Sequence, residues 1–188
     1  MFSLTRQVSR HPLEVVPERR RPVVFVALLV LTLGFGRVMD PPPKTEAAPC
    51  GIVSLEFAGG TDKVRRILES WGEEGKAKAL RNTRLDYAFL LLYSTTIAAG
   101  CLWGSRVYGS GRLRREAGVV LAWGQILTAL LDATENVALL RVLAGPVEEP
   151  WPKVAFWCAL PKFALIAGGV VYGVACAAQW LAGGRREG

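Results

Sequence analysis

Residues 117–140 read AGVVLAWGQILTALLDATENVALL, and this stretch decides the fold. As a helix it covers about 36 Å at 1.5 Å of rise per residue, more than the roughly 30 Å hydrocarbon layer of a bilayer. Gly118 to Leu131 contains no charged residue. An amphipathic surface helix would place one on its wet face every turn or two. The stretch therefore predicts a membrane-spanning helix, and its first charges, Asp132 and Glu135, need a reason to be there.

Three further blocks share this character. Residues 22–39 are apolar but for Thr32 and Arg37; 85–107 holds LDYAFLLLYSTTIAAGCLWG; and 154–181 is long enough to cross with a tilt or a kink. Pro161 lies inside the last block and frees the carbonyl of Trp157. Four such blocks in 188 residues explain how a chain that is 51% hydrophobic can also be 21% charged. The expected fold is all-α, a four-helix transmembrane bundle with an outer amphipathic segment, residues 40–84, between spans one and two. A net charge of +7 would suggest nucleic acid in a soluble protein. Here the basic residues flank apolar blocks, so membrane lipids are the expected partners and nucleic acid is not.

Basic residues also set the expected orientation. Arg6, Arg10, Arg19, Arg20 and Arg21 lie in an arm over 1–21, Arg106, Arg112, Arg114 and Arg115 in the loop after span two, and Arg185 and Arg186 in a tail over 183–188. With four spans these segments share one side, whereas the opposite 141–153 turn sets Arg141 and Lys153 against Glu148 and Glu149. The positive-inside rule then puts both termini of the 22–182 membrane domain in the cytoplasm, in the cell inner (plasma) membrane. Trp103 and Trp180 fall near the inner interface, Trp151 and Trp157 near the outer one. A basic leader before a short apolar run also describes a signal peptide, but MDPPPK follows where a small-residue cleavage site belongs, so an uncleaved first helix is expected. In the outer segment, Pro41–Pro43 make a stiff turn, GIVSLEFA (51–58) is apolar enough to lie on the bilayer or cap the bundle, and Thr61 or Asp62 can cap a helix. That helix would present Val64, Ile67, Leu68 and Trp71 on one face, with Gly72 and Gly75 bending or ending it. It reads either as a lid at the lipid interface or as a hairpin packed on the helix ends.

The polar residues within the spans converge. Asp132, Glu135 and Asn136 are three and four apart, on one helical face. If spans three and four form a hairpin about residue 147, Lys162 lies at the depth of Asp132. Arg37 and Asp86 lie toward the same outer side, and Tyr93, with Ser94, Thr95 and Thr96, one or two turns deeper. These residues outline a polar pocket in the outer half of the bundle: Asp132, Glu135 and Asn136 as floor, Lys162 as counter-charge, Asp86 and Arg37 as rim. Either the charges pair only to lock the helices, Lys162 with an acid and Arg37 with Asp86, or the acids bind a polar group.

Other chemistry is sparse. The one histidine, His11, falls in the basic arm, and Cys50, Cys101, Cys158 and Cys176 form no C-x-x-C pair, so neither a metal site nor a cofactor is expected. Cys50 and Cys158 both fall toward the outer side, where a disulfide is conceivable; Cys101 and Cys176 read as small packing residues. Gly100-x-x-x-Gly104 and Gly169-x-x-x-Gly173 suit close helix approach within one chain.

The order GIVSLEFAGG, LDYAFLLLYS and LLDATENVALLRVLAG, followed by a Trp- and Lys-bearing last span, resembles small uncharacterised four-helix bacterial integral membrane proteins. The D-x-x-E-N motif of the third span (Asp132, Glu135, Asn136) carries that resemblance most specifically. It implies the fold over nearly the whole chain and brings no activity with it. Sterol isomerase-like bundles need a histidine within the spans, vitamin K epoxide reductase-like bundles a C-x-x-C, and small multidrug exporters a glutamate in the first span; the chain departs from each. The expected function is binding of a small amphiphile or lipid headgroup in the outer polar pocket. The alternatives are a membrane enzyme using a carboxyl as acid or base on a lipid or isoprenoid, with no catalytic residue assigned, and a structural or accessory subunit.

Overall fold

The computed structural model describes residues 11–107 and 112–184, with the side chains of residues 107, 112, 180, 181, 183 and 184 excepted. The expectations for Arg6, Arg10, Arg112, Trp180, Arg185 and Arg186 lie outside the described residues. The fold is all-α. Five helices follow one another: α1 (Arg21–Val38), the short α2 (Ile52–Glu56), α3 (Thr61–Val107), α4 (Arg112–Ala144) and α5 (Trp151–Gly184). Four of them, all but α2, are long and apolar enough to cross a membrane.

The long helices outrun a bilayer. α4 and α5 have 33 and 34 residues, roughly 50 Å each, so a turn or more at one or both ends must project beyond the apolar layer. α3 begins at Thr61, with the expected face of Val64, Ile67, Leu68 and Trp71 buried, and breaks once, at Gly72. There φ is +61° and ψ −169°, a conformation that essentially only glycine adopts, so the chain changes direction before running on through span two. Gly75 does not end the helix.

Two apolar cores result. One lies at the end carrying the 145–150 turn, the cap end: Leu55 of α2, Val64, Ile67, Leu68 and Trp71 pack on Ala138, Leu139, Val142 and Ala155 of α4 and α5. The outer segment is thus a folded cap on the helix ends. The second core, at the opposite, basic end, joins Ala98, Cys101 and Leu102 of α3 to Ala122 of α4, with Leu13 and Tyr172 packed against it. α1 packs on α3, through Gly36 against the Phe89 ring and through a 2.7 Å hydrogen bond between the Thr32 and Thr96 hydroxyls. Its apolar outer face, including Val23, Val30 and Leu33, is exposed, as a lipid-facing surface requires. Two glycines of spans two and four serve packing within the chain, Gly104 against Cys176 and Gly169 against Ile97 and Gln125, each too closely for a Cβ to fit without movement; Gly173, expected to do the same, has open space beside it.

The basic arm is not a free tail where it is described. Residues 12–15 and 18–20 form single 3₁₀ turns, and His11 caps the first, its Nδ1 accepting the Leu13 N–H at 3.2 Å. Its ring is buried edge-on against Trp123 of α4, with centroids 5.1 Å apart. The sequence placed His11 outside the spans; folding returns it to the bundle wall.

Candidate functional site

Between the two cores lies a charged layer. Lys162, one position past Pro161 in α5, turns its ammonium inward and is 4% exposed. It donates to Glu135 at 2.8 Å and to Asp132 at 3.0 Å, both on α4, and stands 3.6 Å from Glu56. The hairpin register that put Asp132 and Lys162 at equal depth is the one observed. Asp132 also accepts from the Tyr93 hydroxyl of α3 through Oδ2. The Asn136 side-chain amide donates to Asp86 at 2.7 Å, drawing in a fourth carboxylate.

Of the residues expected to form the site, Asp132, Glu135, Asn136, Lys162, Asp86 and Tyr93 come together. Arg37 does not. It is exposed at the end of α1 and makes no ion pair with Asp86, whose partner is Asn136 instead. The reason is helical phase: Gly36 is the residue that meets α3, at Phe89, and the next position lies about 100° round the helix. Ser94 and Thr96 also stay out, bonding back to the carbonyls of Leu90 and Leu92 on their own helix. No disulfide joins Cys50 and Cys158; all four cysteines are free.

Glu56 is the member that sequence reasoning missed. It ends α2, between Leu55 in the cap core and Phe57, which packs on Phe156 and Phe163 of α5 with ring centroids 6.1 and 5.5 Å away. That apolar anchorage drives the acid down onto the ammonium. The cap is thus a cover whose own carboxylate completes the layer beneath it. Positive-φ glycines bracket it, Gly51 at +60° and Gly59 at +70°. A lone acid in an otherwise apolar capping run was the available signal.

Three carboxyl groups therefore share one ammonium in a buried place, with a fourth, Asp86, half-buried beside them on Asn136, and the balance is incomplete. Glu135 Oε2 and Glu56 Oε2 are buried without a hydrogen-bond partner. Burial pushes the Glu56 carboxyl up from its ordinary range, against the pull of the Lys162 ammonium. Among the described residues no group of His, Cys, Asp and Glu has the spacing to hold a metal ion. Two larger cavities lie toward the basic end. One of about 480 Å³ between α1, α3 and α5 is lined almost wholly by apolar atoms, and one of about 430 Å³ lies between α3 and α4 beside His11. No protein-family model, curated protein or solved structure matches this chain.

Proposed function

We propose that this chain is a multi-pass protein of the cell inner (plasma) membrane, with both termini cytoplasmic, that binds the cationic headgroup of a small amphiphile at its buried carboxyl layer. The observation that carries the reading is the shortage of positive charge: three buried carboxyl groups around one ammonium, with Glu135 Oε2 making no hydrogen bond and Glu56 Oε2 held only by an ion pair at 3.6 Å. A buried carboxylate without a donor costs about 1–3 kcal/mol or more, and a primary ammonium brings three donors and the missing charge. Access would come from the cap side, by movement of the α2 cover between Gly51 and Gly59. The amphiphile's chain would lie along the exposed apolar helix faces.

One observation favours a second reading. Lys162 already spends its donors on carboxylates at 2.8 and 3.0 Å, as a purely architectural clamp between α4, α5 and the cap would. Native mass spectrometry of the full chain in mild detergent, with dodecylammonium as the probe, separates the two. Binding predicts one saturable adduct, lost in Glu135→Gln and weakened in Glu56→Gln while both variants keep their helical content. An adduct population that rises without saturating, or that survives in both variants, leaves the clamp alone.

A further inference from the structure

Residues 11–20 form a strap that precedes α1 and is fastened to two other helices. Leu13 packs into the core of the basic end, beside Ala98 and Leu102 of α3 and Ala122 of α4. Glu14 and Glu18 reach Arg106 of α3 at 3.1 and 3.5 Å. Arg21 closes the joint with α1 by donating from Nε to the Val16 carbonyl at 3.1 Å. His11, Pro12 and Leu13 also line the cavity of about 430 Å³ between α3 and α4, so the strap is one wall of that cavity.

The fastening farthest from α1 is a titratable ring. His11 is 3% exposed, edge-on to Trp123 and against the Ala122 backbone of α4. Its Nδ1 caps the first 3₁₀ turn by accepting the Leu13 N–H at 3.2 Å, which it can do only while that nitrogen carries no proton. An imidazolium has an N–H on both nitrogens, so protonation would set two donors against each other at the cap and leave a charge buried beside an indole. Among the described residues the charge that acts on the ring is Glu14, on its own turn, and Arg106 of α3 already engages it. The polar side chains of α3 and α4 that share the cavity with the ring, Ser94, Thr95 and Gln125, carry no charge. Burial therefore wins, and lowers the His11 pKa from the ordinary 6.5 against the opposite pull of the Ala122 backbone and of Glu14.

We propose that the strap is an acid-released latch: neutral His11 holds residues 11–20 on α3 and α4, and protonation of its ring frees them and takes away one wall of the α3–α4 cavity. The docked ring binds a proton less readily than the free one. Docking is thus at full strength above the free ring's value near 6.5, and weakens by up to about tenfold per pH unit as pH falls from there toward the docked value. The ion pairs on Arg106 lie at the surface and add little to the hold. This device is separate from the carboxyl layer and answers pH in the opposite sense, since the raised pKa of Glu56 loosens the cap as pH rises.

The test is hydrogen exchange on the full chain in mild detergent, read as protection factors from about pH 7.5 down to about 5.5. Protection of the Leu13, Glu14 and Val16 amides should fall severalfold, by up to about tenfold per unit, while that of α4 holds steady and marks a local release. His11→Asn keeps a side-chain acceptor for the Leu13 amide and does not titrate, so its profile should be flat. His11→Phe keeps a ring against Trp123 without the acceptor and should be flat as well, at lower protection. Arg106→Gln should lower protection at every pH and leave the slope in place. Constant protection in the unaltered chain, a slope that persists in both His11 variants, or a slope abolished by Arg106→Gln would each overturn the proposal.

Discussion

Replacing Lys162 by Met tests whether the charged layer is sealed from water. Met keeps the unbranched length of the Lys stem and removes the ammonium alone, and with it the cation–π contact at 4.8 Å from the Phe163 ring centroid. The loss comprises hydrogen bonds of 2.8 and 3.0 Å and an ion pair at 3.6 Å, all made by a group 4% exposed. Removing one partner from a buried ionic network costs about 3–5 kcal/mol, because the others keep their desolvation and lose their compensation. Arg65, which pairs with Asp62 at 3.5 Å and donates to the Val147 carbonyl at 3.2 Å, makes both contacts at the exposed surface, where a pair is worth about 0–1 kcal/mol, and serves as the internal control. For a chain of this length the larger figure lowers the midpoint of thermal unfolding by on the order of 10 °C, readable by circular dichroism in detergent. The triple variant Lys162→Met, Asp132→Asn, Glu135→Gln removes charge on both sides and should recover most of that loss. A Lys162→Met midpoint within about a degree of the Arg65→Met control would show that water reaches the layer. A triple variant no more stable than the single one would show that shape at Lys162 matters more than charge.

Four other outcomes follow from the same geometry. Gly72→Ala should cost about 1–3 kcal/mol from the forced positive φ alone, since no atom lies within 4 Å of an added Cβ; Gly34→Ala, equally open but in ordinary helix, should be neutral or mildly stabilising. Tyr93→Phe should cost about 1–3 kcal/mol in the same melts by leaving Asp132 Oδ2 without its donor. Glu56 has a pKa raised by burial, so the folded cap holds its proton more tightly than the unfolded chain does. Stability from this group is therefore full below its unfolded pKa and declines as pH rises through the folded one; hydrogen exchange of residues 52–58 should quicken over that interval in the unaltered chain and much less in Glu56→Gln. Cys50 is exposed beside the cap while Cys101 and Cys176 are buried, so a membrane-impermeant maleimide added outside sealed cells should label Cys50 if the termini are cytoplasmic, and only lysed cells should label if they are not.

The fold was legible because bilayer thickness acts on single segments. A run such as Gly118–Leu131 announces a span without reference to its neighbours, and the hairpin register that pairs Asp132 with Lys162 needed only symmetric counting about the 145–150 turn. Where the reading failed, the deciding quantity was a helical phase or a non-local return of the chain. Arg37 and Asp86 lie toward the same side of the bundle, but Gly36 claims the contact with α3 and turns the guanidinium away. His11 stands ten residues before α1 and yet packs on Trp123, a contact made by two 3₁₀ turns that carry no periodic signal.

Glu56 is the instructive omission, because it changes what the charged layer means. With Asp132, Glu135 and Lys162 alone, the cluster is a tie between two adjacent helices, and its small excess of acid needs no further partner. The third carboxyl group on Lys162 arrives from outside the spans, on a five-residue helix held by Leu55 and Phe57 and flanked by two glycines that tolerate reorientation. Burying one more acid against a layer already short of positive charge opposes the docking of that helix, so the apolar anchors on either side must outweigh it. Such opposition leaves the cover less firmly closed than its apolar contacts alone would make it. Supplying positive charge beneath the cap would therefore tighten α2, whereas deleting the Glu56 charge would tighten it with no ligand present. Glu56→Gln should thus slow hydrogen exchange across residues 52–58 at neutral pH, and dodecylammonium should slow it in the unaltered chain but add little in the variant. Faster exchange in Glu56→Gln would mean that the ion pair with Lys162 holds the cap down, and the layer would then be a clamp with its charges already balanced.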